Sequence, residues 1–109
     1  MSDWIFRMSD SDIPLETRLN TETGRIRWAE LARHFARGVV VKVEPSLDLV
    51  AVAAAFVRDD EARVMEWMTA RQVWRASESD ARDWHARDPV LWAVVAAPWV
   101  LVQEEPTDD

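Results

Sequence analysis

The sequence predicts an α+β fold, one small domain of about five helices packed on a sheet of two to three strands. Three observations carry this. Apolar residues recur at spacings of three and four in several separate stretches; two further stretches are rich in Val; and 109 residues, 49% of them hydrophobic, suffice for one respectable core but hardly two. Residues 1–12 read as a flexible polar leader, 13–103 as the domain, and 104–109 (EEPTDD) as an acidic, disordered tail.

Taking the elements in order, Ser11 or Asp12 followed by Pro14 opens a short helix with Leu15 and Leu19 on one face, and Gly24 is its stop. A second helix over about 27–37 aligns Trp28, Leu31, Ala32 and Phe35 in one stripe, with Gly38 available for the left-handed position past its end. Val39, Val41 and Val43 alternate with Val40, Lys42 and Glu44 in a strand that Pro45 ends. Ser46 or Asp48 then caps a helix to about Val57 that is apolar nearly all round, which requires burial on several sides and places it at the centre of the core. Phe56 is expected there as a core residue.

Asp59 and Asp60 cap a helix over about 61–71 whose Met65, Trp67 and Met68 are expected to face inward. Residues 73–75 form a strand or an extended connector. Ser77 and Asp80, three apart, match a short-chain capping box, and Ala81, Trp84 and His85 share a face of the helix that follows, which Asp88 and Pro89 end. The Val- and Trp-rich run 91–103 reads as a long strand in which Pro98, lacking an N–H, marks a bulge, an edge position or a break between two short strands.

These elements carry words that resemble a known family. LNTETGRIRWAELARHFARGVVVKVEPSLDLVAVA, EWMTARQVWRAS and LWAVVAAPWVLVQ together resemble the bacterial domain-of-unknown-function 2288 family over about residues 15–104. The most specific runs are Leu19 to Leu31, Glu44 to Val50 and Pro98 to Glu104. The resemblance implies fold and lineage, and transfers no catalytic or binding residue.

Composition narrows the function. Thirteen basic against twenty acidic residues give a net charge of −7, which argues against a general nucleic-acid coat or a protein of anionic membranes. No cysteine is present, so disulfides, thiolate catalysis and cysteine-ligated metals are excluded. The start MSDWIFRMSDSD lacks the charged and apolar regions of a signal peptide, and no uncharged apolar run approaches the ~20 residues of a membrane span, so the expectation is a cytoplasmic protein. Two glycines leave nothing for a phosphate-cradling loop, and no cofactor motif is found.

Glu30 and His34, and His85 and Asp88, each offer two potential metal ligands where zinc needs three or four from the protein; the plain reading is a helix-surface hydrogen bond for the first pair and a half-buried His85 near a helix end for the second. Asp59, Asp60 and Glu61, like Asp80 and Asp83, sit in first helical turns where the dipole already favours negative charge. Residues 17–42 hold six basic and two acidic residues, so Arg25, Arg27, Arg33 and Arg37 form a basic patch available to an acidic partner. Trp4 and Phe6, with Ile5 and Met8, stand in the leader without the periodicity of a core element and are interaction candidates. The reading is a non-enzymatic protein-interaction or regulatory module with a protein partner or a second copy of itself. Alternatives are a small-molecule or metal-binding enzyme around His85 and a nucleic-acid binder through the Arg25 to Arg37 face. No catalytic, metal-ligating or cofactor-binding residue is assigned.

Overall fold

A computed structural model of the chain describes residues 13–105. In chain order its elements are α1 (Leu15–Glu22), β1 (Gly24–Ile26), α2 (Trp28–Ala36), β2 (Val40–Val43), α3 (Leu49–Val57), α4 (Glu61–Thr69), β3 (Val73–Arg75), α5 (Glu78–Arg87), β4 (Leu91–Ala96) and β5 (Trp99–Glu104). The α+β class and the five helices of the sequence reading hold among the described residues. The sheet is larger than expected: five strands rather than two to three, in the order β1-β4-β5-β2-β3.

The extra strands have identifiable sources. The run 91–103 is a hairpin, with Leu91 opposite Glu104 and Ala96 opposite Trp99, and the turn between them contains a cis Ala97–Pro98 peptide. Gly24, expected only to stop α1, begins β1, an edge strand of three residues whose Arg25 pairs with Trp92. Three residues are too few to show an alternation, so a strand of that length becomes visible only through its neighbour. Glu104, expected in the tail, ends β5, and the Glu105 N–H donates to the Val90 carbonyl at 3.2 Å.

Sheet neighbours run antiparallel except β2 and β5, which are parallel, with Val41 opposite Leu101. Alternate residues of the central strands enter two different cores. Val41, Val43, Val94, Ala96 and Leu101 pack with Leu19 of α1 and Leu49, Val52, Ala53 and Ala54 of α3. Val40, Leu91, Val100 and Val102 pack on the other face with Leu31 of α2 and Trp84 of α5. Helices therefore cover both faces, which is why β4 (Leu91–Ala96) and the Trp99 to Val102 stretch of β5 are continuously apolar and not alternately polar.

α1 does not begin as expected, since Pro14 occupies the N-cap position itself and no side chain caps the helix, but three other helix ends follow the sequence reading. The Asp48 carboxylate accepts from the Val50 and Ala51 N–H groups and caps α3. Ser77 and Asp80 form the full capping box of α5. Gly38 takes φ +74° past the end of α2. Two expectations fail on burial. α3 buries Leu49 and Val52 to Ala55, but Val50, Ala51 and Phe56 are half-buried and Val57 is 43% exposed, because its last turn emerges beyond the sheet. In α4 no residue is buried; Val64 and Trp67 turn inward, while Met65 and Met68 are 59% and 43% exposed. α4 packs mainly on α3 and the edge strand β3, and among the described residues no element covers its methionine face.

Candidate functional site

The exposed methionines border an apolar groove. Its outer part, a cavity of about 310 Å³, lies under the turn joining α3 to α4 and is lined by Ala55, Phe56, Val64, Met65 and Trp99, with Asp59, Asp60 and Glu61 at its mouth. Its inner part, about 240 Å³, shares Phe56, Val64 and Trp99 and continues past Met68 to Val41, Val73 and Arg75. Trp99, the first residue of β5, is held by Arg75 of β3, whose guanidinium carbon stands 5.5 Å from the indole centroid. Arg75 is itself anchored, its Nε and Nη2 donating to the Gly38 carbonyl at 3.1 and 2.8 Å. The groove thus has a fixed aromatic floor and a wall of two flexible thioether side chains, which adapt to differently shaped apolar guests.

A second constellation sits on the opposite face. Lys42 of β2 donates to an Asp80 carboxylate oxygen at 3.1 Å, with its ammonium 5.2 Å from the Trp74 ring and 5.5 Å from the Trp84 ring. The other Asp80 oxygen accepts from the Ser77 N–H at 2.9 Å, the Ser77 hydroxyl at 3.1 Å and Trp74 Nε1 at 3.3 Å. Burial pushes this carboxyl up, but the Ser77 N–H, Lys42 and the Ser77 hydroxyl outweigh it and hold Asp80 below its ordinary value. No cavity adjoins the cluster among those described. It acts as a clasp joining β2 to the start of α5, and the buried Trp84 Nε1 has no hydrogen-bond partner among the described residues.

The expected interaction residues are divided. Trp4 and Phe6, with Ile5 and Met8, lie outside the described residues. Arg25 stacks 4.8 Å from the Trp92 ring and pairs with Glu105 at 3.2 Å. Arg27, at the N-cap of α2, donates to both the backbone oxygen and the carboxylate of Asp88. Arg33 and Arg37 are exposed on and just past α2. Arg25 shares the α3 side of the sheet with Trp92, whereas α2 covers the other side, so the four do not form one continuous face. His34 is half-buried and His85 exposed; among the described residues no group of three or more His, Asp or Glu is placed to hold a metal ion. The groove residues escaped the sequence reading because Met65 and Met68 occupy helical spacing that equally fits a core face.

The molecule is thus a single α+β domain with a mixed five-stranded sheet covered on both faces and an apolar groove at one margin. The chain belongs to the family described as "Protein of unknown function (DUF2288)", whose model matches residues 14–104. It is similar to PA1075 from Pseudomonas aeruginosa, known from an NMR solution structure, with 43% sequence identity over 92% of this chain and 93% of that one and a TM-score of 0.77. No curated protein matches. No helix among the described residues is long and apolar enough to cross a membrane.

Proposed function

We propose that this domain is a non-enzymatic protein-interaction module and that its contact surface is the groove between α4 and Trp99. The supporting observation is the exposure of Met65 and Met68 at 59% and 43% beside a groove floored by aromatic rings. Large apolar side chains kept in water on a folded surface are unfavourable unless a partner covers them. Met65 and Met68 together expose about one side chain's worth of surface, so covering both returns about 1.5–3 kcal/mol. Association itself costs about 4–15 kcal/mol, so the groove alone supports a transient contact, and a stable one needs further anchors from the partner. The fitting partner is a segment that inserts one or two large apolar side chains and presents positive charge to Asp59, Asp60 and Glu61.

The test compares capture by the parent, by a Met65→Glu/Met68→Glu variant and by an Arg33→Glu/Arg37→Glu variant, with circular dichroism as the check on folding. Loss of a specific partner in the methionine variant and its retention in the arginine variant is the expected outcome. The reverse pattern moves the interface to α2.

A further inference from the structure

We infer that the groove has an occupant within its own chain: the leader segment Trp4 to Met8, which folds back over the end of α3 and competes with any external partner. The inference rests on the groove being the contact surface and supplies its regulation.

Where the described chain starts is the first argument. Glu16, in the first turn of α1, makes a two-pronged ion pair with Arg58 at 2.8 and 3.1 Å, and Arg58 immediately precedes Asp59 and Asp60 at the groove mouth. The start of α1, the end of α3 and the β4–β5 turn carrying Trp99 therefore gather at one end of the molecule. The chain outside the structure here is twelve residues. The five residue-to-residue steps from Ile13 back to Met8 span up to about 17 Å, whereas adjacent helix axes lie about 8–10 Å apart. The leader is long enough to cross from α1 over α3 to α4.

Chemistry supplies the second argument. The segment WIFRM offers Trp4, Ile5, Phe6 and Met8, large apolar groups suited to a groove of Phe56, Val64, Met65 and Trp99. Arg7 is the one charge within WIFRM and is opposite in sign to Asp59, Asp60 and Glu61 at the groove mouth, whereas Asp3, Asp10 and Asp12 flank that segment, so the apolar side chains and not the net charge of the leader favour docking. Tethering makes weak docking effective: at an effective concentration on the order of 1 mM, a segment with a free Kd of about 0.1 mM fills the groove about nine-tenths of the time. An external ligand then meets a groove whose apparent affinity is lowered about tenfold.

The chain has no cysteine, so Ser2→Cys gives a single site for a nitroxide label on the full-length protein. Docking is expected to broaden the methyl resonances of Met65 and Met68 and the Trp99 indole N–H, and Trp4→Ser/Phe6→Ser in the labelled chain is expected to abolish the broadening. Absence of broadening at these groups overturns the proposal. So does broadening that appears only when nitroxide-bearing and isotope-labelled chains are different molecules, since the occupant is then a second copy. A binding readout separates this proposal from the groove reading. The uncharged dye Nile red is expected to bind Trp4→Ser/Phe6→Ser about tenfold more tightly than the parent, and to lose that binding in Met65→Glu/Met68→Glu. Equal binding by the parent and the leader variant, still lost on Met65→Glu/Met68→Glu, overturns the leader proposal and leaves the groove standing. Dye binding that ignores the methionine substitutions overturns the groove reading itself.

Discussion

Lys42 is the single lysine among thirteen basic residues, and it occupies a place that a planar guanidinium fits poorly: a compact slot between two indole faces with one carboxylate at its end. Its side chain is 19% exposed and that of Asp80 is 15% exposed, so the pair is shielded enough to matter where the surface pairs are not. Asp80→Asn should cost about 1.5–3 kcal/mol in urea unfolding, the range for a lost hydrogen bond to a charged group. Lys42→Met should cost less, about 1 kcal/mol, because its stem still packs on the indoles and Asp80 keeps its Ser77 donors. Because the Asp80 carboxyl is held below its ordinary value of 3.8, its contribution is present above that pH and disappears as pH falls through the folded-state value. The stability gap between parent and Asp80→Asn should therefore be constant near neutrality and shrink below about pH 4. A second residue-scale consequence concerns Arg71, which follows α4 at φ +59°, a conformation that costs an L-residue about 1–2 kcal/mol. Arg71→Gly should raise stability by about 0.5–1 kcal/mol after the added freedom of the unfolded chain is offset.

Among the elements, α3 and α4 divide the work of core and surface. Leu101 of β5 is fully buried beneath α3, so Leu101→Ala should cost about 2–5 kcal/mol. Phe56→Ala should fall below the ~3–5 kcal/mol of a fully buried phenylalanine, because its ring lines the groove and water already reaches it. In a Trp4→Ser/Phe6→Ser background, where the leader does not occupy the groove, Met65→Glu and Met68→Glu should each stay within about 0.5 kcal/mol of that background in thermal unfolding. A large loss at either methionine would mean that α4 packs its exposed face in solution. The same face that is nearly neutral for stability is the one expected to govern binding, which makes the two roles separable by mutation.

For the whole molecule, the position of a strand in the sheet sets its local stability. β5 lies between β4 and β2 and contributes to both cores, whereas β1 and β3 are three-residue edges. Native-state amide exchange should accordingly be slowest at Leu101 and Val102 and fast at Arg25, whose strand has one neighbour. The shortness of the edges also limits pairing with another sheet. Arg75, on the outer strand β3, is held by Gly38 and Trp99, so the groove floor inherits its rigidity from the sheet while its methionine wall does not.

Local chemistry alone determined much of this fold. The Asp48 cap, the Ser77 and Asp80 box, the Trp28 to Phe35 stripe and Gly38 past α2 are legible because each depends on residues within one or two turns of one another. The family was legible too, in runs spread along the whole domain. Tertiary structure decided the rest. Whether Pro98 was a bulge, an edge or a break depended on β4 and β5 pairing with each other, and whether Gly24 to Ile26 formed a strand depended on β4 lying beside it. The methionines of α4 have the spacing of a buried face, and only the absence of a further element over that helix among the described residues turns them into a surface. Periodicity tells which side chains share a face; what that face meets is fixed by contacts between residues far apart in the chain.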